Sequence, residues 1–387
     1  MIYYELYAKR GGYNMSKTLI DLFAGCGGLS LGLTQAGFKS VYANEINPIC
    51  AETYIKNFRI NNEQMYIGDI HDLIRDLKNR KIEFGEIDLV SGGPPCQGFS
   101  MANRHRIIDD PRNSLYKAYL EFLSIVKPKF FIIENVRGMA NKINEILTDI
   151  NDMLDSSYDV SFKLLNARNF GVPQNRERFF IIGNRVGVLS KQIFDNILKR
   201  TFTNYTLNDA ICDLPPLGIN TIKNNTSIEN DIVGYFKREY KYPQSEYRDF
   251  VNDNKQVFYI YNHKNRYNNS RDVKIYSLLP QGENSLHDSI ADIMPYKSRN
   301  HIFKDKYYKL KSDDVCKTIT SHMKFDCNMY IHPTQPRGLS AREAARIQTF
   351  PDDFVFYGPQ NSWYLQIGNA VPVKLAKVIG EEIIKCL

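Results

Sequence analysis

One tryptophan in 387 residues, no CxxC pair and no long apolar run rule out several classes of protein at once. The seven cysteines, Cys26, Cys50, Cys96, Cys212, Cys316, Cys327 and Cys386, are scattered and odd in number. That pattern indicates neither a disulfide framework nor a zinc knuckle, and it fits a reducing cytosol. No apolar stretch approaches the roughly 20 residues a membrane helix needs. Met1 to Asn14, rich in tyrosine and broken by Lys9, Arg10, Gly11 and Gly12, lacks the apolar segment of a signal peptide. Met15 is the expected natural start, and residues 1–15 read as an extension outside the fold. Neither G-x-G-x-x-G nor G-x-x-x-x-G-K-[ST] occurs, which disfavours a cradle for phosphates. There is no internal repeat and no low-complexity tract.

What remains describes an enzyme-sized chain with a basic surface. A formal net charge of +7 suits a polyanionic partner, and 25 tyrosines with 22 phenylalanines supply aromatic faces, some able to stack on bases while most phenylalanines fill the core. From Lys17 to Asn184, short β-branched or aromatic runs alternate with helical patterns: Thr18 to Leu22, Ser40 to Asn44, Met65 to Ile67, Ile87 to Val90, Phe130 to Ile133 and Arg178 to Ile182. This alternation predicts parallel strands joined by helical crossovers, an α/β fold with a doubly wound sheet. Residues 190–330 are Asn- and Tyr-rich and irregular in period, the mark of a second, smaller domain. Ser340 and Glu343 then form a capping box that opens a helix from Ala341 to Thr349. Pro372 opens a closing helix with Leu375, Val378, Ile379 and Ile383 on one face. So amphipathic a helix needs a surface to cover, and the first sheet supplies it. The expected layout is therefore a catalytic domain of residues 16–189 and 331–387, interrupted by an inserted domain of residues 190–330.

The run Asp21-Leu22-Phe23-Ala24-Gly25-Cys26-Gly27-Gly28 ends the first strand and precedes a helix, so its glycines stand where backbone must approach a ligand closely. Glu45 ends the second strand at the roughly 20-residue spacing at which an acidic side chain accepts from ribose hydroxyls. Asp69, in Gly68-Asp69-Ile70, ends the third and is placed to accept from an adenine amino group. A nucleoside without phosphates fits this set best, and S-adenosylmethionine is the common cofactor of that description.

Gly92-Gly93-Pro94-Pro95-Cys96-Gln97-Gly98-Phe99-Ser100 follows the buried run Ile87 to Ser91 and holds a cysteine in a stiff turn at the sheet edge where ligands bind. Glu134-Asn135-Val136 follows Phe130 to Ile133, and Gln174-Asn175-Arg176-Glu177-Arg178 leads into Phe179 to Ile182. A thiol, a carboxyl group and an arginine converging on one pocket suit methylation at carbon 5 of cytosine. That carbon is a poor nucleophile until a thiolate adds at carbon 6, and addition is easier with an acid at ring nitrogen 3 and a cation facing the exocyclic oxygen. A neighbouring Arg176 or Arg178 would also raise the thiolate fraction of a thiol whose free pKa is about 8.5.

These motifs, in this order, resemble the bacterial DNA (cytosine-5)-methyltransferases of restriction-modification type. Arg112-Asn113, the segment Arg337 to Phe354, and Gln366-Ile367-Gly368-Asn369-Ala370-Val371-Pro372 complete the match. It spans the chain except the central insert and the first residues, and it departs at Val373, where the family usually carries a second proline. The resemblance implies a Rossmann-like, S-adenosylmethionine-dependent methyltransferase sheet. It makes Cys96 the nucleophile, puts Glu134 at nitrogen 3, and has Arg178 support the pocket with Arg176. Phe23, Ala24, Gly25, Gly27, Gly28, Glu45, Ile46, Asp69, Ile70, Pro95, Asn369 and Ala370 would surround the cofactor.

The resemblance further implies duplex DNA as substrate, with the target cytosine flipped out at a cost of a few kcal/mol, and the insert as the target-recognition domain. The segment Gln97 to Arg112, with Ser100, Arg104, Arg106 and Arg112, reads as a mobile basic loop able to close on the DNA backbone. Two basic stretches interleaved with tyrosines, containing Lys264, Arg266 and Arg271 in one and Lys304 and Lys306 in the other, are the expected DNA face of the insert. A transfer RNA methyltransferase of the same fold and a catalytically silent DNA-binding regulator are the alternatives. A cytoplasmic bacterial monomer, sharing its site with a restriction endonuclease but forming no stable complex with it, completes the expectation.

Overall fold

The computed structural model describes residues 16–95, 113–154, 156–223, 227–241, 243, 245–295 and 305–387. Its centre is a seven-stranded sheet, ordered β3-β2-β1-β4-β5-β8-β6. The strands are β1 (Lys17–Leu22), β2 (Phe38–Glu45), β3 (Met65–Ile67), β4 (Leu89–Gly92), β5 (Phe130–Asn135), β6 (Asp159–Asn166) and β8 (Glu177–Asn184). The first five pair in parallel, as the alternation predicts. β8 is the exception, antiparallel to both β5 and β6, which corrects the expectation of a parallel sixth strand. A helical crossover, α5 (Ile143–Met153), leads from β5 to β6 at the edge, and a short connection from β6 brings β8 back between them.

Helices cover both faces, which is why the central strands read as unbroken apolar runs. On one side α3 (Ile70–Lys78), α4 (Asn113–Val126) and α5 (Ile143–Met153) pack on Ile20, Leu22, Val90, Phe131 and Ile133. On the other, α1 (Gly28–Gln35), α6 (Ser190–Lys199) and α12 (Val373–Ile384) pack on Leu19, Leu89, Phe130, Ile132 and Phe180. α12 buries Leu375, Val378, Ile379 and Ile383 there, so the chain does return to its first sheet. Gly32 makes the α1–α12 approach feasible, because a Cβ at that position would lie 2.3 Å from the Val373 carbonyl oxygen.

The expected boundary at residue 190 falls just before α6, which packs on the sheet. The rest of the insert is irregular: α7 (Leu207–Ile211), a ribbon of β9 (Gly234–Glu239) and β10 (Tyr259–Lys264), α8 (Glu246–Val251) and α9 (Ser270–Leu278). The pair β7 (Gln174–Asn175) and β11 (Cys316–Lys317) ties the end of the insert to the catalytic sheet's approach to β8. α10 (Ala341–Ile347), opened by the predicted Ser340–Glu343 capping box, and α11 (Gln360–Asn369) share one core with Leu207, Tyr247 and Ile260 of the insert. α10 stops two residues before the predicted Thr349, which has a positive φ of 60°. Three arginines of the Arg337 to Phe354 motif are completely buried and structural. Arg337 pairs with Glu343 at 2.6 Å, Arg346 with Asp352 at 2.5 Å and with Asp213 of the insert at 3.0 Å, and Arg342 donates to the carbonyls of Tyr261, Pro351 and Phe354.

Candidate active site

The carboxyl ends of β1 to β5 open into one cavity of about 790 Å³, on the β1/β4 side where the strand order reverses. Open α/β sheets bind ligands at this switch point. Phe23, Ala24, Gly25, Gly28, Glu45, Ile46, Asp69, Ile70, Pro95, Asn369 and Ala370 all line it, as do Glu134 and Arg178. Gly27 does not. It is the N-cap of α1 with φ 93°, and a Cβ there would lie 2.4 Å from the Phe58 ring, so its absent side chain serves the turn rather than the ligand. Gly25 is the reverse case: its φ is 56° and nothing lies within 4 Å of a Cβ built on it, because it faces the open cavity.

Glu45 is pre-set by backbone. Its Oε2 accepts from the Gly25 N–H at 2.7 Å and its Oε1 from the Asn47 N–H at 2.8 Å; burial raises its pKa while those N–H groups oppose the rise. Asp69 has a second task, since its Oδ1 caps α3 by accepting from the His71 N–H at 2.8 Å. That hydrogen bond, the foremost cause, holds its pKa below the ordinary value. The sequence reading passed over Asp21 as a site group, although it too lines the cavity, fully buried, and accepts from Ser30 Oγ at 2.5 Å and Ser91 Oγ at 2.7 Å. Burial pushes its pKa up to about 7.

At the β4/β5 end, the sheet register explains a carboxyl–guanidinium pair. Glu134 lies opposite Phe180 across the β5/β8 ladder, so Arg178 is its diagonal neighbour on the same face. Arg178 Nε stands 2.9 Å from Glu134 Oε1, both side chains being nearly buried. Desolvation is the leading influence on each: it raises the pKa of Glu134 and lowers that of Arg178, in both cases against the pull of the ion pair. Gly93 lies against the other carboxylate oxygen, 3.0 Å from where a Cβ would stand. Asn135 donates to the Pro94 carbonyl at 2.9 Å and so fixes the turn that leads to Cys96.

Arg176 is not among the cavity-lining residues. It is completely buried, and its guanidinium donates to the carbonyls of Ile319 at 2.5 Å, Gly368 at 3.0 Å and Ala370 at 2.9 Å. It therefore clamps the Gln366 to Pro372 segment, and of the two arginines only Arg178 lines the cavity. Thr320 and Ser321, from the end of the insert, also line the cavity. Gly368 admits them, since a Cβ there would lie 2.2 Å from the Ser321 nitrogen. No spacing in the sequence connects residues so far apart.

Cys96, Gln97, Ser100, Arg104, Arg106, Arg112 and Lys304 lie outside the described residues. Of the other expected DNA contacts, Lys264 is only 2% exposed, and Arg266 donates to the carbonyls of Met323, Lys324 and Phe325 and to Asn361 Oδ1. Both readings as DNA contacts are corrected by burial and internal bonding. Arg271 is exposed beside Asp272, and Lys306 is half-buried. The expected stretch takes in Tyr259 and Tyr261 on the β9/β10 ribbon, and Lys237, which the sequence reading did not single out, sits over both rings.

The sequence model of the family described as C-5 cytosine-specific DNA methylase matches residues 17–385. The chain is 33% identical over 380 residues to the Type II methyltransferase M1.HphI of Haemophilus parahaemolyticus, covering 96% of this chain and 88% of that one. It is 34% identical over 385 residues to M.DdeI of Desulfomicrobium norvegicum, covering 94% and 88%. Among solved structures, a DNA modification methyltransferase encoded within an E. coli prophage superposes with a TM-score of 0.72 at 26% identity, covering 96% of this chain and 99% of that one. The chain belongs to the C-5 cytosine-specific DNA methylase family.

Proposed function

We propose that the chain is the modification enzyme of a bacterial restriction-modification system. In this reading it methylates a flipped-out cytosine within a specific duplex sequence through a covalent Cys96 adduct. Relatives named Type II methyltransferases support the biological setting. The observation that carries the chemistry is the Glu134–Arg178 pair, which shares one cavity with Glu45 and with Pro95, the residue before Cys96.

The donor set fits S-adenosylmethionine. Glu45 and Asp69 offer acceptors to a nucleoside, Gly25 leaves its face open, and Arg178, the sole lysine or arginine among the described lining residues, is already paired with Glu134. A cavity of that balance favours a cationic sulfonium over a polyphosphate. When bound, S-adenosylmethionine supplies a methyl group on positively charged sulfur, the electrophile that carbon 5 accepts.

The chain's own residues make carbon 5 reactive. Cys96, as thiolate, forms a bond to carbon 6, and the electron density displaced into the ring collects at nitrogen 3 and the exocyclic oxygen. Glu134, whose pKa burial raises, serves as the acid at nitrogen 3. Arg178 holds Glu134 at its Oε1 and puts positive charge near the oxygen. After methylation, loss of the carbon 5 proton re-forms the ring double bond and expels the Cys96 thiolate. Arg176 positions the cofactor segment Asn369-Ala370. The exposed parts of the insert and the Gln97 to Arg112 segment serve target reading and closure, in a cytoplasmic monomer that shares its site with an endonuclease.

A duplex carrying 5-fluorocytosine at the target tests the adduct, because fluorine cannot leave as a proton does. The expected result is a covalent enzyme–DNA species that resists denaturant and is absent from Cys96→Ala, a variant that still binds the cofactor but has no turnover. Turnover by Cys96→Ala, or methyl transfer to transfer RNA alone, would overturn the proposal.

A further inference from the structure

A second cavity, of about 400 Å³, lies in the insert at the far end of the 3-10 helix Ser321–Lys324. Its wall holds an unsatisfied buried acceptor. Asn268 is 8% exposed, lines the cavity, and its Oδ1 has no hydrogen-bond partner among the described residues. The amide orientation follows from its neighbours. The Tyr276 hydroxyl spends its proton on Asn328 Oδ1, so Asn268 meets that hydroxyl with its NH₂ group, at 3.5 Å, and Oδ1 is left over. A buried acceptor without a donor is destabilising, a deficit that a ligand with an N–H group would remove. Apolar and aromatic surface frames the cavity: Ile222 is 57% exposed, Tyr267 37% and Phe325 66%. Large exposed side chains around one concave polar site suit a flat heteroaromatic ligand with an amino group.

Two elements join this cavity to the catalytic one. Thr320 and Ser321 line the catalytic cavity while Phe325 lines the second, a separation of about 8 Å along a 3-10 helix. On α11, Asn361 lines the second cavity and Gln366 the first, a separation of about 7.5 Å along an α-helix. The two cavities therefore share walls, and a strand whose target base enters the first passes close to the second.

We propose that this cavity is a second base-binding site, which takes the amino edge of an unstacked adenine, guanine or cytosine near the target, with Asn268 Oδ1 as acceptor and Phe325 and Tyr267 as stacking faces. The proposal rests on the DNA reading above and adds a specificity determinant to it. A side chain that reads a stacked base projects into a groove, whereas a recessed acceptor behind aromatic rims is reached by a base that leaves the stack.

The test uses the full chain and the duplex it methylates, with bases lacking the exocyclic amino group substituted one position at a time: nebularine for adenine, inosine for guanine, 2-pyrimidinone for cytosine. In the wild type, kcat/KM should fall about tenfold at one position near the target, and a mismatch opposite that base should tighten binding. Asn268→Leu should methylate the parent duplex about tenfold less well and no longer discriminate there. Phe325→Ala, a change at an exposed rim, should also weaken discrimination if the leucine variant fails to fold. Equal rates at every position, or unchanged discrimination in both variants, would overturn the proposal. So would competition by free adenosine that the Asn268 change abolishes, since it would assign the cavity to a small molecule. Methylation of the parent duplex by each protein keeps these failures distinct from failure of the enzymatic assignment.

Discussion

Replacing Asp21 by asparagine removes a carboxyl group that the fold holds neutral under the cofactor cavity. Asp21 is 1% exposed and sits at the end of a buried hydroxyl chain: Ser30 Oγ and Ser91 Oγ donate to it, Tyr54 donates to Ser30 Oγ at 2.9 Å, and Ser40 Oγ is 2.8 Å from the Tyr54 hydroxyl. Burial is the dominant influence and raises the pKa from 3.8 to about 7, against the two serine hydrogen bonds. Below the lower value the folded and unfolded chains both carry the proton, and this group's stabilising contribution is fully present. Between the two values the unfolded chain releases the proton while the folded chain keeps it, so stability falls as pH rises, and above about 7 the loss is complete. Some three pKa units correspond to about 4 kcal/mol in all.

Asparagine has no proton to lose. It cannot accept from both serines, and that pH-independent loss costs about 1 kcal/mol. Urea unfolding of wild type and Asp21→Asn, followed by circular dichroism at pH 5, 6, 7 and 8, should therefore show the variant gaining about 3 kcal/mol relative to wild type across that range, most of it before pH 7. Taking the difference between the two proteins cancels carboxylates of opposite sign, such as Glu343 and Asp352, whose arginine partners hold their pKa values low despite burial. A difference that stays constant with pH would refute the claim that Asp21 is buried as a neutral acid.

Glu134→Gln keeps the shape of the side chain but removes the acid, so turnover should fall about a hundredfold while S-adenosylmethionine binding, measured by calorimetry, stays unchanged. Equal losses in both would reassign Glu134 to cofactor binding. Arg176→Met leaves the carbonyls of Ile319, Gly368 and Ala370 without their donor and should lower stability by about 3 kcal/mol or more, with a raised KM for the cofactor as Asn369-Ala370 loosens. An unchanged urea midpoint would show that the clamp is dispensable.

The central strands were legible because burial on both faces forces continuous apolar runs. β6 escaped notice for the opposite reason: at the sheet edge, Asp159, Phe162 and Lys163 face solvent, so no apolar run or clean alternation marks it. The reversed direction of β8 has no compositional trace, because a buried strand reads the same either way. At the site, glycines and strand-end acids flagged Gly25, Glu45 and Glu134, whereas Thr320 and Ser321 arrive only because the insert folds back over α11. Lys264 and Arg266 misled because a count of charges does not register what binds them. Arg266 is occupied by four internal acceptors, and Lys264 is desolvated enough that its pKa falls.

The two arginines of Gln174-x-Arg176-x-Arg178 show why a motif cannot assign roles by itself. Two residues apart in a regular strand, they would share a face and both reach the cavity. The strand is interrupted between β7 and β8, with Arg176 at the break, and the Ala167 N–H is bonded to its carbonyl at 2.9 Å. One guanidinium is thereby turned into the protein, where three carbonyls occupy it, and the other lies beside Glu134 at the cavity wall. The division has a chemical consequence. A second guanidinium in contact would pull the pKa of Glu134 further down and oppose its service as an acid. Burial outweighs the charges of Arg178, in contact, and of Arg176, at a distance, so the pKa of Glu134 rises above the ordinary carboxyl value, and the break in the strand limits direct contact to one cation.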